Sequence, residues 1–139
     1  MSNITFTMIK PEAVEARKSG AILERIESAG FKIISLKKVH LSADEAAKFY
    51  EVHKEKHFYQ DLIDYMSGGP ILAAILQKEN AVADFRKLIG STDPANAEEG
   101  TIRKEFAKSM SENAVHGSDS DENAKQECDF HFSLEERFF

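Results

Sequence analysis

Cysteine is nearly absent from this chain, and long apolar runs are missing. Cys128 is the single cysteine, so an intrachain disulfide is excluded and a reducing compartment is favoured. No apolar run approaches the roughly 20 residues that a transmembrane helix needs. The residues from Met1 to Thr5 lack a charged region followed by an apolar stretch, which argues against a secretory signal. The sequence therefore predicts a cytoplasmic protein without a membrane anchor.

A surplus of basic residues is also missing. The formal net charge is −6, whereas domains that bind nucleic acid usually carry a basic surface. The composition argues against a nucleic-acid partner, although a few converging cations can still bind a small anion. A length of 139 residues, 42% of them hydrophobic, predicts one globular domain over residues 1–139 with its own core.

The common phosphate-binding and metal-binding motifs are absent as well. The chain contains neither a G-x-x-x-x-G-K-[ST] loop nor a G-x-G-x-x-G run after a strand. Its histidines show neither H-E-x-x-H spacing nor a Cys₂His₂ arrangement, so protein-bound zinc is not expected. A site for phosphate chemistry would have to be assembled from scattered side chains.

Apolar periodicity predicts a mixed fold. Alternating apolar and hydroxyl side chains predict a strand at 4–9, and apolar runs predict strands at 31–41, 71–76 and 114–116. Helical spacing, candidate caps at Ser42 and Asn80, and ends at Gly30 and Gly90 predict helices at 21–29, 42–52, 58–66 and 80–89, and a last helix starts near Ser120. Residues 91–111 show no clean period and are expected to be functional or disordered. This order predicts an α+β, ferredoxin-like βαββαβ sandwich with added helices, in which helices cover one face of a four-stranded antiparallel sheet.

His116 is the leading candidate for chemistry. It follows a short apolar run and precedes a predicted helix whose N-terminal end would favour an anion. Neutral imidazole is nucleophilic near pH 7 and can form a covalent intermediate. Gly117 would allow a ligand to approach closely, and Ser118 supplies a hydroxyl. The ordinary alternative is a partly buried histidine whose ring is bonded to a backbone carbonyl.

Three cations could bind phosphate near this histidine. Lys10 ends the first predicted strand, and Arg103 follows the irregular segment, where a guanidinium could bind phosphate oxygens bidentately. Arg86 lies late in a predicted helix, where a cation also stabilises the helix C-terminus. Simple solvation of strand and helix ends is the alternative for each.

Two aromatic residues and one carboxylate carry similar alternatives. Phe58 could stack on a base, and the Tyr50 hydroxyl could reach the histidine, but core packing is the default for both. Glu127 could orient the imidazole from the last predicted helix, or it could be an ordinary exposed glutamate.

Together, these residues resemble the nucleoside diphosphate kinases over nearly the whole chain. Residues 113–120, Asn-Ala-Val-His-Gly-Ser-Asp-Ser, are similar to the active-site signature of that family. Four further pieces occur in the family order, at 5–11, 69–70, 90–94 and 100–103. One piece alone would be weak, whereas five in a single order are a specific match.

The resemblance implies a ping-pong reaction with broad base and sugar specificity. A nucleoside triphosphate, mainly ATP, would give its γ-phosphoryl group to His116, and a different nucleoside diphosphate would take it back. Mg²⁺ would be carried on the nucleotide phosphates with little or no direct protein ligation. By position, the catalytic and nucleotide-binding residues of the family fall on Lys10, Tyr50, Phe58, Leu62, Arg86, Thr92, Arg103, Met110, Asn113, His116, Ser118 and Glu127.

Individual roles follow from the same resemblance. Phe58 matches the residue that stacks on the base, with Leu62 and Met110 on the other side of that base. Ser118 and Glu127 match the pair that supports and orients the histidine.

The family forms dimers that assemble into tetramers or hexamers, so a homo-oligomer is implied. Candidate contacts are the 91–111 segment and a phenylalanine-rich tail, for which core burial is the alternative. Lys104-Glu105 stands where Gly-Asp is frequent in the family, and His57 stands where proline is frequent. Neither departure replaces a matched catalytic residue.

A non-catalytic ferredoxin-like domain that binds RNA or a protein is the competing interpretation. The acidic balance and the lack of an aromatic RNA-binding strand argue against RNA. A steep salt-dependent affinity for single-stranded RNA, without a phosphoenzyme, would favour it.

Overall fold

One antiparallel sheet forms the frame of the molecule. The computed structural model describes residues 3–139, and its strands pair in the order β2-β3-β1-β4. The strands are β1 (Ile4–Ile9), β2 (Lys32–Val39), β3 (Ile71–Gln77) and β4 (Val115–Gly117). The α-helices are α1 (Pro11–Glu15), α2 (Ser19–Ser28), α3 (Ala43–Phe49), α4 (Tyr59–Met66), α5 (Ala81–Ile89), α6 (Ile102–Phe106) and α7 (Asp121–His131). Single 3₁₀ turns occupy Glu51–His53, Pro94–Asn96 and Leu134–Glu136.

This topology confirms the expected α+β, ferredoxin-like fold. β1 lies between β3 and β4 and pairs antiparallel with both. Chain-adjacent β2 and β3 are also paired, with a register shift between Ile33 and Ser35. Because β1 is central, the residue that follows it, Lys10, is brought beside the short strand that carries His116.

The expectation that helices cover only one face of the sheet is wrong. Phe6 and Met8 of β1 pack into one core with residues of α3, α4 and α7. Ile9, on the opposite face, packs into a second core with residues of α1, α2, α5 and α6. β3 contributes to both cores, because a continuous apolar run buries side chains on both faces of a strand.

One of the two predicted helix caps forms as expected, and α7 has a cap that the sequence patterns did not predict. Ser42 and Glu45 make a reciprocal capping box at the start of α3, and Ser120 Oγ accepts from Asn123 N at the start of α7. Asn80 does not cap α5 with its side chain, because its backbone is left-handed (φ 58°) and its amide is directed at Asp84. Gly30 and Gly90 follow their helices with positive φ, as predicted.

The sequence patterns miss the two shortest helices. α1 and α6 have five residues each, too few to show a helical period. α1 begins with Pro11, and α6 is capped by Thr101 Oγ1, which accepts from Lys104 N. The segment 91–111 is therefore partly ordered as a 3₁₀ turn and α6.

The phenylalanine-rich tail is buried at its start and exposed at its end. Phe132 is buried in the core, whereas Phe138 and Phe139 are 69% and 68% exposed. The Phe138 N–H donates to Ile34 O, so the tail runs beside β2 at the edge of the sheet. Within residues 3–139, no helix combines the length and apolar character required to cross a membrane.

Candidate active site

His116 lies at the centre of β4, opposite Met8 of β1. Its ring packs between aromatic side chains, with ring centroids 5.9 Å from Phe6 and 5.7 Å from Phe49. The His116 side chain is 17% exposed to solvent. It is therefore held by the core while part of the ring stays accessible.

A continuous hydrogen-bond chain fixes the imidazole. His116 Nε2 lies 2.8 Å from Glu127 Oε1 on α7, and Ser118 Oγ donates to the same oxygen at 2.6 Å. The Phe6 N–H donates to Ser118 Oγ at 3.3 Å, which ties the chain to β1. The His116 carbonyl accepts from Thr7 Oγ1 at 2.7 Å. Both the ring and the backbone of His116 are therefore held in place.

Gly117 is required for packing rather than for ligand approach, contrary to the expectation from sequence. A Cβ built on Gly117 would lie 2.8 Å from Ile89 Cδ1 and 3.2 Å from Phe85 Cδ2. Helix α5 therefore packs directly against β4, and a larger residue at 117 would force the Ile89 and Phe85 side chains to shift.

Lys10 and Arg103 place buried positive charge beside β4. Their side chains are only 7% and 8% exposed. Burial, then the neighbouring Arg103, lowers the pKa of Lys10 to about 8, although Glu12 opposes this shift. Burial and the nearby Arg86 lower the pKa of Arg103 to about 10. Burial is the larger cause of both pKa shifts and repulsion from a neighbouring cation is the smaller one, and a bound anion would offset that repulsion.

The guanidinium of Arg103 connects α5 to β4. Its Nη1 donates to Gly90 O at 3.0 Å and its Nη2 to Val115 O at 2.9 Å, while its buried Nε has no partner among the described residues. Arg103 also lines an open cleft of about 740 Å³ together with Arg86 and Thr92. Three residues singled out from the sequence as phosphate contacts thus share one concave surface.

Tyr50 and Asn113 are buried and carry polar atoms without a partner in residues 3–139, namely Tyr50 OH and Asn113 Oδ1. The Asn113 amide donates to Met110 O at 3.0 Å. Burial, then Glu127, raises the pKa of Tyr50, which keeps its hydroxyl protonated. The hydroxyl makes no hydrogen bond with His116 in this structure.

The residues expected around a base are more exposed. Phe58 precedes α4 and is 39% exposed, Leu62 lies half-buried one turn later, and Met110, on the loop before β4, is 57% exposed. None of the three lines the cleft of Arg86, Thr92 and Arg103.

Two residues near the site, Glu12 and His53, were not predicted from the sequence. Glu12 Oε1 accepts a hydrogen bond from the N–H of Ala114, which lies two residues before His116. The only sequence signal for this role was a carboxylate directly after Lys10-Pro11. His53 has a buried Nδ1 without a partner in the described chain, and its ring centroid lies 5.8 Å from that of Phe58. Its position between Tyr50 and Phe58 in the chain was the available signal.

Comparison with known proteins identifies the family. The model of the family described as nucleoside diphosphate kinase matches residues 3–137. The chain belongs to the nucleoside diphosphate kinase family. It is 58% identical over 137 residues to the nucleoside diphosphate kinase of Flavobacterium psychrophilum, covering 99% of each chain. It is 54% identical over 132 residues to that of Chlorobium limicola, covering 95% of this chain and 94% of the relative.

Solved structures of the family share the fold. The nucleoside diphosphate kinase of Aquifex aeolicus superposes with a TM-score of 0.95 at 39% identity, over 97% of this chain and 98% of that one. That of Encephalitozoon cuniculi has a TM-score of 0.94 at 32% identity, over 99% of this chain and 94% of that one. Members of the family transfer phosphate between nucleotides through a phosphohistidine. The chain is therefore a phosphotransferase acting on nucleotides.

Proposed function

We propose that His116 is the histidine that carries the phosphoryl group and that its Nδ1 is the attacking atom. The observation behind this assignment is the 2.8 Å contact between Nε2 and Glu127. A carboxylate oxygen only accepts, so Nε2 carries the proton and Nδ1 keeps its lone pair. Glu127 therefore selects the nucleophilic tautomer.

In the first half-reaction, the Nδ1 lone pair forms a bond to the γ-phosphorus of the triphosphate. The bond from that phosphorus to the β,γ-bridging oxygen breaks, and the diphosphate leaves with the electron pair. The imidazole becomes positive as Nδ1 bonds phosphorus, and Glu127 stabilises that charge through Nε2–H. In the second half-reaction, a terminal oxygen of another diphosphate attacks the same phosphorus and the bond to Nδ1 breaks.

The cations bind and orient the phosphates. Lys10, Arg86 and Arg103 supply the positive charge that phosphoryl transfer requires, and Thr92 adds a neutral hydrogen bond. The unpaired Tyr50 hydroxyl can donate to a phosphate oxygen, and the unpaired Asn113 Oδ1 can accept from a ribose hydroxyl. A ligand that satisfies such groups removes the cost of burying them unpaired.

Base specificity is broad because stacking recognises every base alike. Phe58 presents an exposed ring, and Leu62 and Met110 supply apolar surface for the other side of the base. The physiological donor is mainly ATP.

Mg²⁺ is the proposed cofactor, bound by the nucleotide. Within residues 3–139, no three His, Cys, Asp or Glu side chains form a group that could hold a metal ion. The proposal is that the nucleotide phosphates hold it. Bound to the nucleotide, Mg²⁺ would neutralise negative charge on the phosphates, while Lys10, Arg86 and Arg103 would hold and orient them. We further propose one domain over residues 1–139, a cytoplasmic location, and a homo-oligomer built from dimers, either a tetramer or a hexamer.

The decisive experiment needs only the pure protein, Mg²⁺ and ATP. Without an acceptor, intact mass should show one acid-labile, base-stable phosphoryl adduct per chain. Adding GDP or dTDP should remove the adduct and yield GTP or dTTP. Folded protein that forms no adduct would refute His116 as the nucleophile. Native mass spectrometry of the same sample would separate dimer, tetramer and hexamer.

A further inference from the structure

Ala114 has a backbone conformation that an alanine rarely adopts. Among the described residues, positive φ occurs at three non-glycine positions, Arg17, Asn80 and Ala114, and Ala114 has a φ of 72°. It is also fully buried, with no exposed surface. Alanine has no polar side chain that could stabilise a positive φ, so backbone hydrogen bonds must hold it there. One is local, since the Val115 N–H donates to Asn113 O at 2.9 Å across Ala114, as in a γ-turn, and the others come from a distant segment. This strained residue lies two positions before His116.

The segment after β1 holds both backbone groups of Ala114. Its N–H donates to Glu12 Oε1 at 2.9 Å, and its carbonyl accepts from the Lys10 N–H at 2.8 Å. Lys10 and Glu12 flank Pro11, the first residue of α1, whose ring restricts the backbone of this segment. The turn formed by Lys10, Pro11 and Glu12 therefore holds the backbone of Ala114 by two hydrogen bonds.

The Glu12 carboxylate is itself held in place. Its Oε2 accepts from the Ala13 N–H at 3.0 Å and from the Tyr65 hydroxyl on α4. Burial and Glu12 both raise the pKa of Tyr65, so this hydroxyl stays protonated and donates. Hydrogen bonds to an ionised carboxylate are stronger than neutral ones. Glu12 therefore links α1, α4 and the residue before β4.

We propose that Glu12 is a positioning residue for phosphoryl transfer, which keeps Ala114 left-handed and so sets the angle at which His116 enters β4. The proposal rests on the proposed role of His116. The imidazole must reach Glu127 with Nε2 and present Nδ1 to the phosphate at the same time, and small displacements of reacting groups reduce rates strongly. If Ala114 relaxed to a negative φ, β4 would rotate, and His116 could no longer place Nε2 at Glu127 and Nδ1 at the phosphate together.

The test measures the single-turnover rate of phosphoenzyme formation with saturating ATP and Mg²⁺. Glu12→Ala should slow this rate at least tenfold while KM changes little. Glycine adopts positive φ without strain, so Ala114→Gly alone should stay within about threefold of the wild-type rate. In the double variant, Ala114→Gly should restore most of the rate lost in Glu12→Ala.

A matched control separates this effect from loss of charge on α1. Glu15→Ala removes an exposed carboxylate from the same helix and should leave the rate unchanged. Glu12 also lies near Lys10 and supports its charge. If that were its only role, Glu12→Ala would raise KM, and Ala114→Gly would give no rescue. Either that result or a wild-type rate in folded Glu12→Ala would overturn the proposal.

Tyr65→Phe provides a second, milder variant should Glu12→Ala fail to fold. It removes one donor from Glu12 and should slow phosphorylation about threefold, with the loss suppressed in the Ala114→Gly background. An unchanged rate in folded Tyr65→Phe would contradict the proposal. Failure of the proposed function is distinguishable, because the wild-type protein would then form no phosphoenzyme.

Discussion

The two sides of the active site differ in how completely their polar groups are paired. On one side, His116, Glu127 and Ser118 form a closed hydrogen-bond chain that ends on the backbone of β1. On the other side, Lys10 and Arg103 are buried cations with lowered pKa values, and Arg103 Nε has no partner in the described residues.

This difference fits the roles proposed for the two sides. A nucleophile has to be oriented before substrate arrives, and a completed hydrogen-bond chain costs no reorganisation during reaction. The cations are proposed to bind phosphate oxygens. Arg103 already donates from Nη1 to Gly90 O and from Nη2 to Val115 O, and only its buried Nε stays unpaired among the described residues, at some cost in stability. Mutations on the paired side should therefore reduce kcat, and mutations on the cationic side should also reduce affinity.

The largest effect is expected for His116→Ala, which removes the proposed nucleophile. Turnover should fall by about a thousandfold or more, and the phosphoryl adduct should disappear from the intact mass. His40→Ala, which changes an exposed histidine bonded to Ser67 O, should retain both. An adduct that persists in His116→Ala would assign the phosphoryl group to another residue.

Glu127→Gln should reduce kcat by about a hundredfold with little change in KM. The amide can donate to Nε2, which would move the imidazole proton to Nδ1 and block the attacking atom. Steady-state kinetics would show the kcat effect, with Glu122→Gln on the exposed surface of α7 as control. Equal losses in the two variants would mean that general charge, not tautomer selection, matters.

Lys10→Ala and Arg103→Ala should each lower kcat/KM at least tenfold, roughly 1.4 kcal/mol of transition-state stabilisation. KM for ATP should rise in both, unlike in Glu127→Gln. The exposed neighbour Lys104 provides the control, and Lys104→Ala should behave as wild type. Wild-type kinetics in a folded Lys10→Ala protein would show that this cation does not contact phosphate.

Phe58→Ala should raise KM about fivefold for purine and pyrimidine nucleotides alike, because stacking on an exposed ring is worth on the order of 1 kcal/mol. Phe58→Tyr keeps an aromatic face and should retain the wild-type KM. A loss confined to one base would point to hydrogen-bond recognition elsewhere in the site.

The smallest effect is expected from pH. Lys10 has a lowered pKa of about 8, so the free enzyme loses this charge as pH rises through that value. If the uncharged form does not bind, kcat/KM should fall about fourfold between pH 7 and pH 8.5. Bound phosphates favour the charged amine, so kcat should stay constant over the same range. A flat kcat/KM profile to pH 10 would rule out this role.

Sequence patterns predicted the fold class and the strands well, because their signals are local. Ile4–Ile9 alternates apolar and hydroxyl side chains, Ile71–Gln77 begins with a continuous apolar run, and both are strands. The Ser42–Glu45 capping box was likewise readable from its spacing. Five-residue helices were not, because so few residues cannot show a period.

Candidate site residues were found less evenly. The resemblance to the family located His116, Ser118 and Glu127, which the structure joins by hydrogen bonds. The local reason given for Gly117 was wrong, because its neighbour in space is α5, about thirty residues earlier in the chain. Glu12 was missed because its partner, Ala114, is separated from it by 102 positions.

By itself, the sequence determined which chemical groups the chain can use, because the imidazole, the cations and the aromatic ring are set directly by residue type. The strand periods and turn residues likewise determined the fold class. Tertiary structure alone decided which nitrogen of His116 is paired, how far Lys10 is desolvated, and how Ala114 is held. These properties depend on contacts between segments distant in the chain, and such contacts leave no local pattern.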